Sequence, residues 1–573
     1  MEDDGTLFSD CGPSPTPPKR PRLTRKGGIV FRHQSTVLPT GPQSFSELME
    51  WPTYIIQQVV QDEERKKRLF AFLRRGVAVT SSYSGMDAPR EILAQIAVAM
   101  RTSFNFWPQI RHIHSCDLAG HPQTILCWLA REVDSSQSCV FGNLEDRLPQ
   151  EARNHLDSLA PDEKASPERK IEAYKQMWTY LHSHRKAFFQ EFATSLCSVH
   201  NRQCRIIGSD TCFPDMDSQG SMQGSPGSSY SHAPSPAGKE VRVEFAGTTC
   251  KGWSYAGGRA QFAHESERPH AVWLCERLCR SEQNLEDMFF QECTVAYPVQ
   301  TKLREVLEDT HEVLMVKTGP ELQGWTWVGP TTDTAVQQEF EHMFQRSTEL
   351  TGDVFFQAKD SSEMVRRDVF SRLKRRGGAA DIGQDIDLDF TTLLSMLPPG
   401  AAQRLQQYAE ERNEKQSIEE GSFLCDVNQW PAEGCSCSGP FFPCQLTHCT
   451  VVSFKRNRPA VGFEYLAAQG FHSFPQLGSP HRAAFLPLVR EWPTEKIVSL
   501  TGNSMSLPAL GAWILYVWAN IKPVCNLTIQ IQPELNMIMK GSSRDIGDDG
   551  EAAVAADSAA MCDSDSDSCD RDP

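Results

Sequence analysis

The 573-residue sequence has no apolar run long enough to cross a bilayer. Its longest, Leu507 to Ile521, is interrupted by Gly511 and Asn520 and falls short of the about 20 residues a spanning helix needs. It does not open like a secreted chain either, because Met1-Glu2-Asp3-Asp4 has neither the basic nor the apolar segment of a signal peptide. No membrane partner is expected. Repeats and fibrous periodicities are missing too. Positive charge is in deficit, with 57 Lys and Arg against 73 Asp and Glu and a net charge of −16. That total says little about a local surface, since much of the acid sits between Ser542 and Pro573, including Asp563-Ser564-Asp565-Ser566-Asp567. Cysteine is plentiful, at 19, but in a large chain without a secretory start these residues read as free thiols in a reducing interior.

What is present suits a globular chain of two or three folded units, with 39% hydrophobic and 23% charged residues. Residues 1–50 are rich in Pro and Ser and read as disordered. They carry the basic run from Pro17 to Lys26, which fits a nuclear import signal, a nucleic-acid-contacting arm or a solubilising tail. A nuclear protein is expected. Basic clusters at Arg65-Lys66-Lys67-Arg68, Arg366-Arg367 and Lys374-Arg375-Arg376 read as solvated helix faces.

Strand patterns fall at 76–80, 110–115, 138–141 and 241–245, with further candidates around Thr294 and Val313. Helical patterns separate them, and residues 150–205 read as helical and charged throughout. Strand, small-residue turn and helix in that order predict an α/β, doubly wound, Rossmann-like domain. The expected division is a catalytic domain at 51–330 with a flexible Ser/Gly/Pro/Met insertion at 209–239, a smaller unit at 331–497, a returning helix at 498–540 and a disordered acidic tail at 541–573.

Five segments, in order, carry a resemblance. They are Ser82-Tyr83-Ser84-Gly85-Met86-Asp87; Gly247-Thr248-Thr249-Cys250-Lys251-Gly252; Glu292-Cys293-Thr294; Arg458-Pro459-Ala460 with Glu464 and Ala468-Gln469-Gly470-Phe471; and Gly502-Asn503-Ser504-Met505-Ser506-Leu507-Pro508. Together they resemble the motifs of the cytosine-C5 methyltransferases, in which an α/β S-adenosylmethionine domain is paired with a smaller target-recognition domain. The resemblance implies S-adenosyl-L-methionine as cofactor, with Tyr83, Ser84, Gly85, Met86, Asp117, Asn143, Asn503 and Ser504 around it. It implies Cys250 as nucleophile and Glu292 as its acidic partner. DNA, with its target base flipped from the duplex, is the expected partner; the motifs alone leave RNA open, and tRNA methylation on the same fold remains an alternative. So does a nucleic-acid- or chromatin-binding homologue that has lost catalysis.

Several positions depart from the family pattern. Asp87 stands where a second glycine is usual, Thr249 where proline is, and Cys293 where asparagine is. Asn143 replaces an acidic residue, Asp117 or Ser115 must take the ribose position, and Gln323 to Gly329 contains no arginine. Trp325 and Trp327 alternate there, as a base-stacking platform or as core. No metal site is expected, because Cys425, Cys435, Cys437, Cys444, His448 and Cys449 match no familiar ligand spacing.

Overall fold

The computed structural model describes residues 38–523 except 191–192, 207–239, 249–251, 254–259, 284, 294–296, 308–324, 348, 378–385, 415–422, 432–436 and 475–480. The basic run, the 209–239 insertion, Cys250, Thr294, Val313 and the acidic tail therefore lie outside the described residues. Order begins before residue 50: the helix Phe45–Met49 is capped by the Ser44 side chain and buries Phe45 and Met49. The extended disordered segment expected from composition thus does not reach residue 50.

A mixed, mostly parallel sheet of seven strands forms the centre, in the order β5-β4-β3-β2-β1-β6-β7. Its strands are β1 (Val77–Ser82), β2 (Ile110–Cys116), β3 (Cys139–Phe141), β4 (Thr194–Cys197), β5 (Arg202–Arg205), β6 (Val241–Gly247) and β7 (Met288–Glu292). The five from β3 to β7 through β2, β1 and β6 run parallel; β4 and β5 are antiparallel additions on the β3 edge. β1 is buried on both faces, which is why it reads as a continuous run of small and apolar residues. Alternation along β6 sends Val241, Val243 and Phe245 into one core with helix Ala88–Phe104, while Ala246 enters another with helix Glu267–Glu282. The chain is thus α/β, with helices on both faces of the sheet. Among the described residues no helix is long and apolar enough to cross a membrane.

The face under helix Glu267–Glu282 also holds buried charge. Arg277 Nη1 lies 3.2 Å from Glu244 and 2.6 Å from Glu286, and Arg147 Nη1 lies 2.5 Å from Glu276, each side chain almost fully buried. Burial by itself would raise the Glu244 carboxyl, but the Arg277 and Arg280 guanidiniums overcome it and hold it at about 2.

The second part of the chain builds a four-stranded antiparallel sheet, β10-β9-β11-β12, from β9 (Leu424–Asp426), β10 (Ser438–Gly439), β11 (Val451–Ser453) and β12 (Arg458–Pro459). Arg458 and Glu464 are fully buried and form a two-pronged pair, with both contacts at 2.9 Å. Glu464 also accepts the Val461 and Ala358 N–H groups, and Arg458 donates to the Ala358 carbonyl and Asp360. The segment 331–497 does not stand wholly apart, because helix Asp333–Phe344 packs on the first unit, where Glu339 accepts the Tyr516 hydroxyl at 2.6 Å. The apolar helix Leu507–Ala519 returns to pack against helices Trp51–Val60, Glu63–Arg74 and Ala88–Phe104.

Two expectations follow. Glu464→Ala leaves Arg458 buried without its partner and should cost about 3–5 kcal/mol in denaturant unfolding; a loss below about 1 kcal/mol would contradict the structural role of the pair. Glu244 has a folded-state pKa below its unfolded value, so its stabilisation is complete above about 4.5 and is lost as pH falls towards 2. That term is on the order of 3 kcal/mol. Thermal melts across that window should slope less steeply with pH for Glu244→Gln than for the parent protein.

Candidate active site

The carboxyl ends of β1, β2, β3 and β6 open on one edge of the sheet, where α/β folds bind ligands. At the end of β1 the chain turns sharply, and Tyr83, Gly85 and Asp87 all have positive φ, at 52°, 55° and 61°. Asp87 thus holds a left-handed conformation that glycine adopts freely, which non-glycine residues reach at a cost. Its carboxylate explains how: Arg90 Nε donates to it at 2.8 Å and Ser115 Oγ at 3.0 Å. Burial opposes the Asp87 charge, but Arg90 and His112 outweigh it and hold the carboxyl below its ordinary value. The departure from glycine at this position is accommodated without losing the turn.

Ser84 ties this turn to β2, accepting from the Cys116 N–H at 2.9 Å and donating from its hydroxyl to the Cys116 carbonyl at 3.1 Å. Met86 is buried beneath it. Asp117, the first residue after β2, accepts the Gly85 N–H at 2.9 Å and the Ala119 N–H at 2.9 Å. Burial raises its pKa, opposed by those two backbone donors. Each carboxylate oxygen keeps a second lone pair. Next to it Leu118 is 72% exposed, an apolar side chain at the mouth of the edge that sequence reasoning passed over. Asn143, after β3, caps the 3-10 turn Leu144–Arg147 by accepting the Glu145 N–H at 3.1 Å, which leaves its carbonyl oxygen one further acceptor site. The Tyr83 ring packs in the core under helix Glu267–Glu282, and burial pushes its hydroxyl well above the ordinary phenol value.

The Gly502–Pro508 segment joins this edge from a distance of more than two hundred residues. A Cβ on Gly247 would fall 2.9 Å from Met505 Cε and 3.2 Å from the Tyr83 carbonyl oxygen, and one on Gly85 would fall 3.6 Å from the Asn503 carbonyl oxygen. A side chain at Gly247 would therefore crowd the Met505 methyl and the Tyr83 backbone. Asn503 Nδ2 donates to the Ser499 carbonyl and Ser504 Oγ to the Met505 carbonyl, so both shape their own turn. Gln469 secures it, donating from Nε2 to the Thr501 carbonyl at 3.1 Å and accepting the Leu507 N–H at 2.9 Å.

Gly247 pairs in register with Glu292 on β7. Thr248 Oγ1 donates to the Glu292 carbonyl at 3.4 Å and accepts from Gln291 Nε2 at 2.7 Å. Beyond Cys250, Trp253 is buried against Phe262 and Tyr297, with ring centroids 4.9 Å and 6.0 Å away. The chain is therefore pinned two residues before Cys250 and three residues after it. The Glu292 side chain reaches solvent, yet the surrounding protein strips enough hydration to raise its pKa.

Other sequence candidates are used by the fold itself. Trp327, on β8 (Trp325–Trp327), is buried, donates its indole N–H to the Pro330 carbonyl at 2.9 Å and packs 5.9 Å from the Tyr516 ring. It is core rather than a stacking platform. Arg65 pairs with Glu339, Lys67 with Glu64, Arg367 with Glu491 and Arg375 with Glu495, so these basic clusters are engaged by neighbouring acids. A groove of about 990 Å³ lies away from this edge, lined by Trp51, Tyr54, Phe340, Phe344 and Phe442. Outside the cysteine-rich region weighed from the sequence, Cys139, Cys197, His200 and Cys204 bring their donor atoms within 4.8 Å of one another.

Gly247→Val should destabilise the protein by about 1–3 kcal/mol through overpacking. Met505→Ala in that background should recover part of the loss. Simple additivity of the two substitutions in denaturant unfolding would show that Met505 is not what confines Gly247.

Comparison of the chain with protein-family models and with curated protein sequences finds no match.

Proposed function

We propose that the chain is an S-adenosylmethionine-dependent cytosine-C5 methyltransferase acting on DNA in the nucleus. The observation that carries the reading is the meeting of Tyr83, Gly247 and Met505, which brings three of the five family-like segments together although they are far apart in sequence. Five resembling motifs in order would be accidental in an unrelated α/β fold, and accident gives no reason for them to converge on one edge.

The residues at that edge fit the cofactor's chemistry. Asp117 offers carboxylate lone pairs beside an exposed Leu118, which suits ribose hydroxyls next to the face of an adenine. Asn143 offers an acceptor for an exocyclic amine. Ser82 Oγ, at the end of β1, is buried and makes no hydrogen bond among the described residues. When bound, the cofactor would supply an electrophilic sulfonium methyl group.

In this reading the chain activates the base. The Cys250 thiolate forms a bond to C6 of cytosine, and the C5–C6 π electrons become available at C5 for bonding to the methyl carbon, as the sulfonium–methyl bond breaks with its electron pair left on sulfur as a neutral thioether. Charge driven towards N3 is met by the Glu292 carboxyl, whose proton desolvation holds more tightly than an ordinary glutamate's. Loss of the C5 proton to a base then expels the cysteine sulfur and restores the ring. Thr248 and Trp253 are each held in place by the fold on either side of Cys250, and Trp430 and Phe441, 55% and 61% exposed on the smaller unit, offer aromatic surface to a nucleic acid.

Cys250→Ala should retain the parent melting temperature and S-adenosylmethionine binding while losing methyl transfer to cytosine-containing DNA. The parent should also form a covalent adduct with 5-fluorocytosine DNA that the variant cannot form. Parent-level tritium incorporation by the variant would remove Cys250 from the mechanism, and transfer to RNA alone would reassign the substrate. A parent protein that binds DNA without any turnover would favour the non-catalytic homologue.

A further inference from the structure

The hairpin of β4 and β5 carries Cys197-x2-His200-x3-Cys204, and β3 brings Cys139 beside it. The Sγ atoms of Cys139, Cys197 and Cys204 lie 3.6, 3.2 and 3.6 Å from one atom, His200 Nδ1. All four donor atoms fall within 4.8 Å of one another. The other ring nitrogen, Nε2, is 2.9 Å from the Ser136 carbonyl oxygen, where it donates its hydrogen. That fixes the tautomer, leaving the Nδ1 lone pair facing the three sulfurs.

These distances are those of one small tetrahedral ion. With zinc–sulfur near 2.3 Å and zinc–nitrogen near 2.0–2.1 Å, the sulfur–nitrogen edge of a tetrahedron is about 3.6 Å. Three thiolates and an imidazole are a soft donor set that favours zinc over magnesium or calcium. The imidazole is oriented through its other nitrogen by a backbone carbonyl, as metal-bound histidines are. A single thiol S–H would satisfy that lone pair in an ordinary core, whereas here three sulfurs converge on it.

We propose that Cys139, Cys197, His200 and Cys204 bind a structural zinc ion that fastens the β4–β5 hairpin to the edge of the parallel sheet. Four protein ligands leave no open position, so the ion is structural rather than catalytic. It stands at the amino end of β3, whereas the candidate active site uses the carboxyl end through Asn143. The inference is therefore independent of the methyl-transfer reading. β4 and β5 are only four residues each, with mostly exposed outer positions, so a metal link supplies what so small a hairpin lacks in buried apolar surface.

The test uses the full-length chain purified in reducing buffer. Elemental analysis should give one zinc per chain after dialysis, and replacement by Co²⁺ should give the visible bands of a tetrahedral site and thiolate-to-cobalt charge transfer. His200→Asn and Cys204→Ser should each lose the ion. The Cys444→Ser/His448→Asn variant, altered in the other cysteine-rich region, should keep it. A parent chain that retains no zinc, and whose melting temperature does not respond to added zinc, overturns the proposal. So does full zinc content in Cys197→Ser/Cys204→Ser. If the single variants fail to fold, the Co²⁺ spectrum of the parent decides by itself: no thiolate charge transfer means no such site.

Discussion

Six charged side chains share the space between the central sheet and helix Glu267–Glu282: Glu244 from β6, Arg147 from the turn after β3, Glu286 ahead of β7, and Glu276, Arg277 and Arg280 from the helix itself. Burying charge is expensive, and here the expense is offset by close ion pairs, although some of the guanidinium and carboxylate atoms make no hydrogen bond among the described residues. Removing any one partner would leave an opposite charge buried without compensation. Glu244 is three residues before Gly247, and Arg147 is four residues after Asn143. One helix thus fixes the β6 and β3 ends of the candidate site relative to each other, and the loops at that edge inherit their positions from it.

The far contribution comes through a second set of buried contacts. Arg458 and Glu464 lock the entry to helix Gly462–Ala468, and Gln469 at its end holds the Gly502–Pro508 turn by two hydrogen bonds. That turn then reaches Gly85 and Gly247. The Arg458, Glu464 and Gln469 segment is thus not itself a ligand-binding surface. It is the support that delivers Met505 and Asn503 to the edge.

Much of the central sheet was legible from short β-prone segments bounded by turns. Val77 to Val79 is a short apolar run, Val241 to Phe245 alternates apolar and charged residues, and Ile110 to Ser115 offers two isoleucines among polar residues; only the ends move by one or two residues in the structure. The β4–β5 hairpin was not legible. Its burial pattern, alternately exposed and buried in β4 and mostly exposed in β5, supplies no apolar run, and the long helix Pro167–Phe188 just before it makes helix the simpler extrapolation. The short spacing of Cys197, His200 and Cys204 was the available signal there. Its fourth member, Cys139, lies fifty-eight residues earlier and joins only through strand pairing. At Trp327 the sequence left platform and core both open, since alternation along a strand identifies a shared face but not whether that face meets solvent or core, and the structure places it in the core.

The departures from the family pattern separate once their surroundings are known. At Asp87, the carboxylate gains Arg90 and Ser115 as partners while its backbone keeps the left-handed turn that glycine would supply, and Arg90 passes the linkage on to Asp134 at 2.6 Å. At Asn143 the amide caps the 3-10 turn and keeps one acceptor site. Asp87 thus carries a paired charge beneath the turn, and Asn143 brings an uncharged acceptor to the edge. Of the two glycines at this edge, Gly247 is the more confined: a Cβ there would meet Met505 Cε at 2.9 Å, whereas one on Gly85 would stand at ordinary contact distance, 3.6 Å, from the Asn503 carbonyl oxygen.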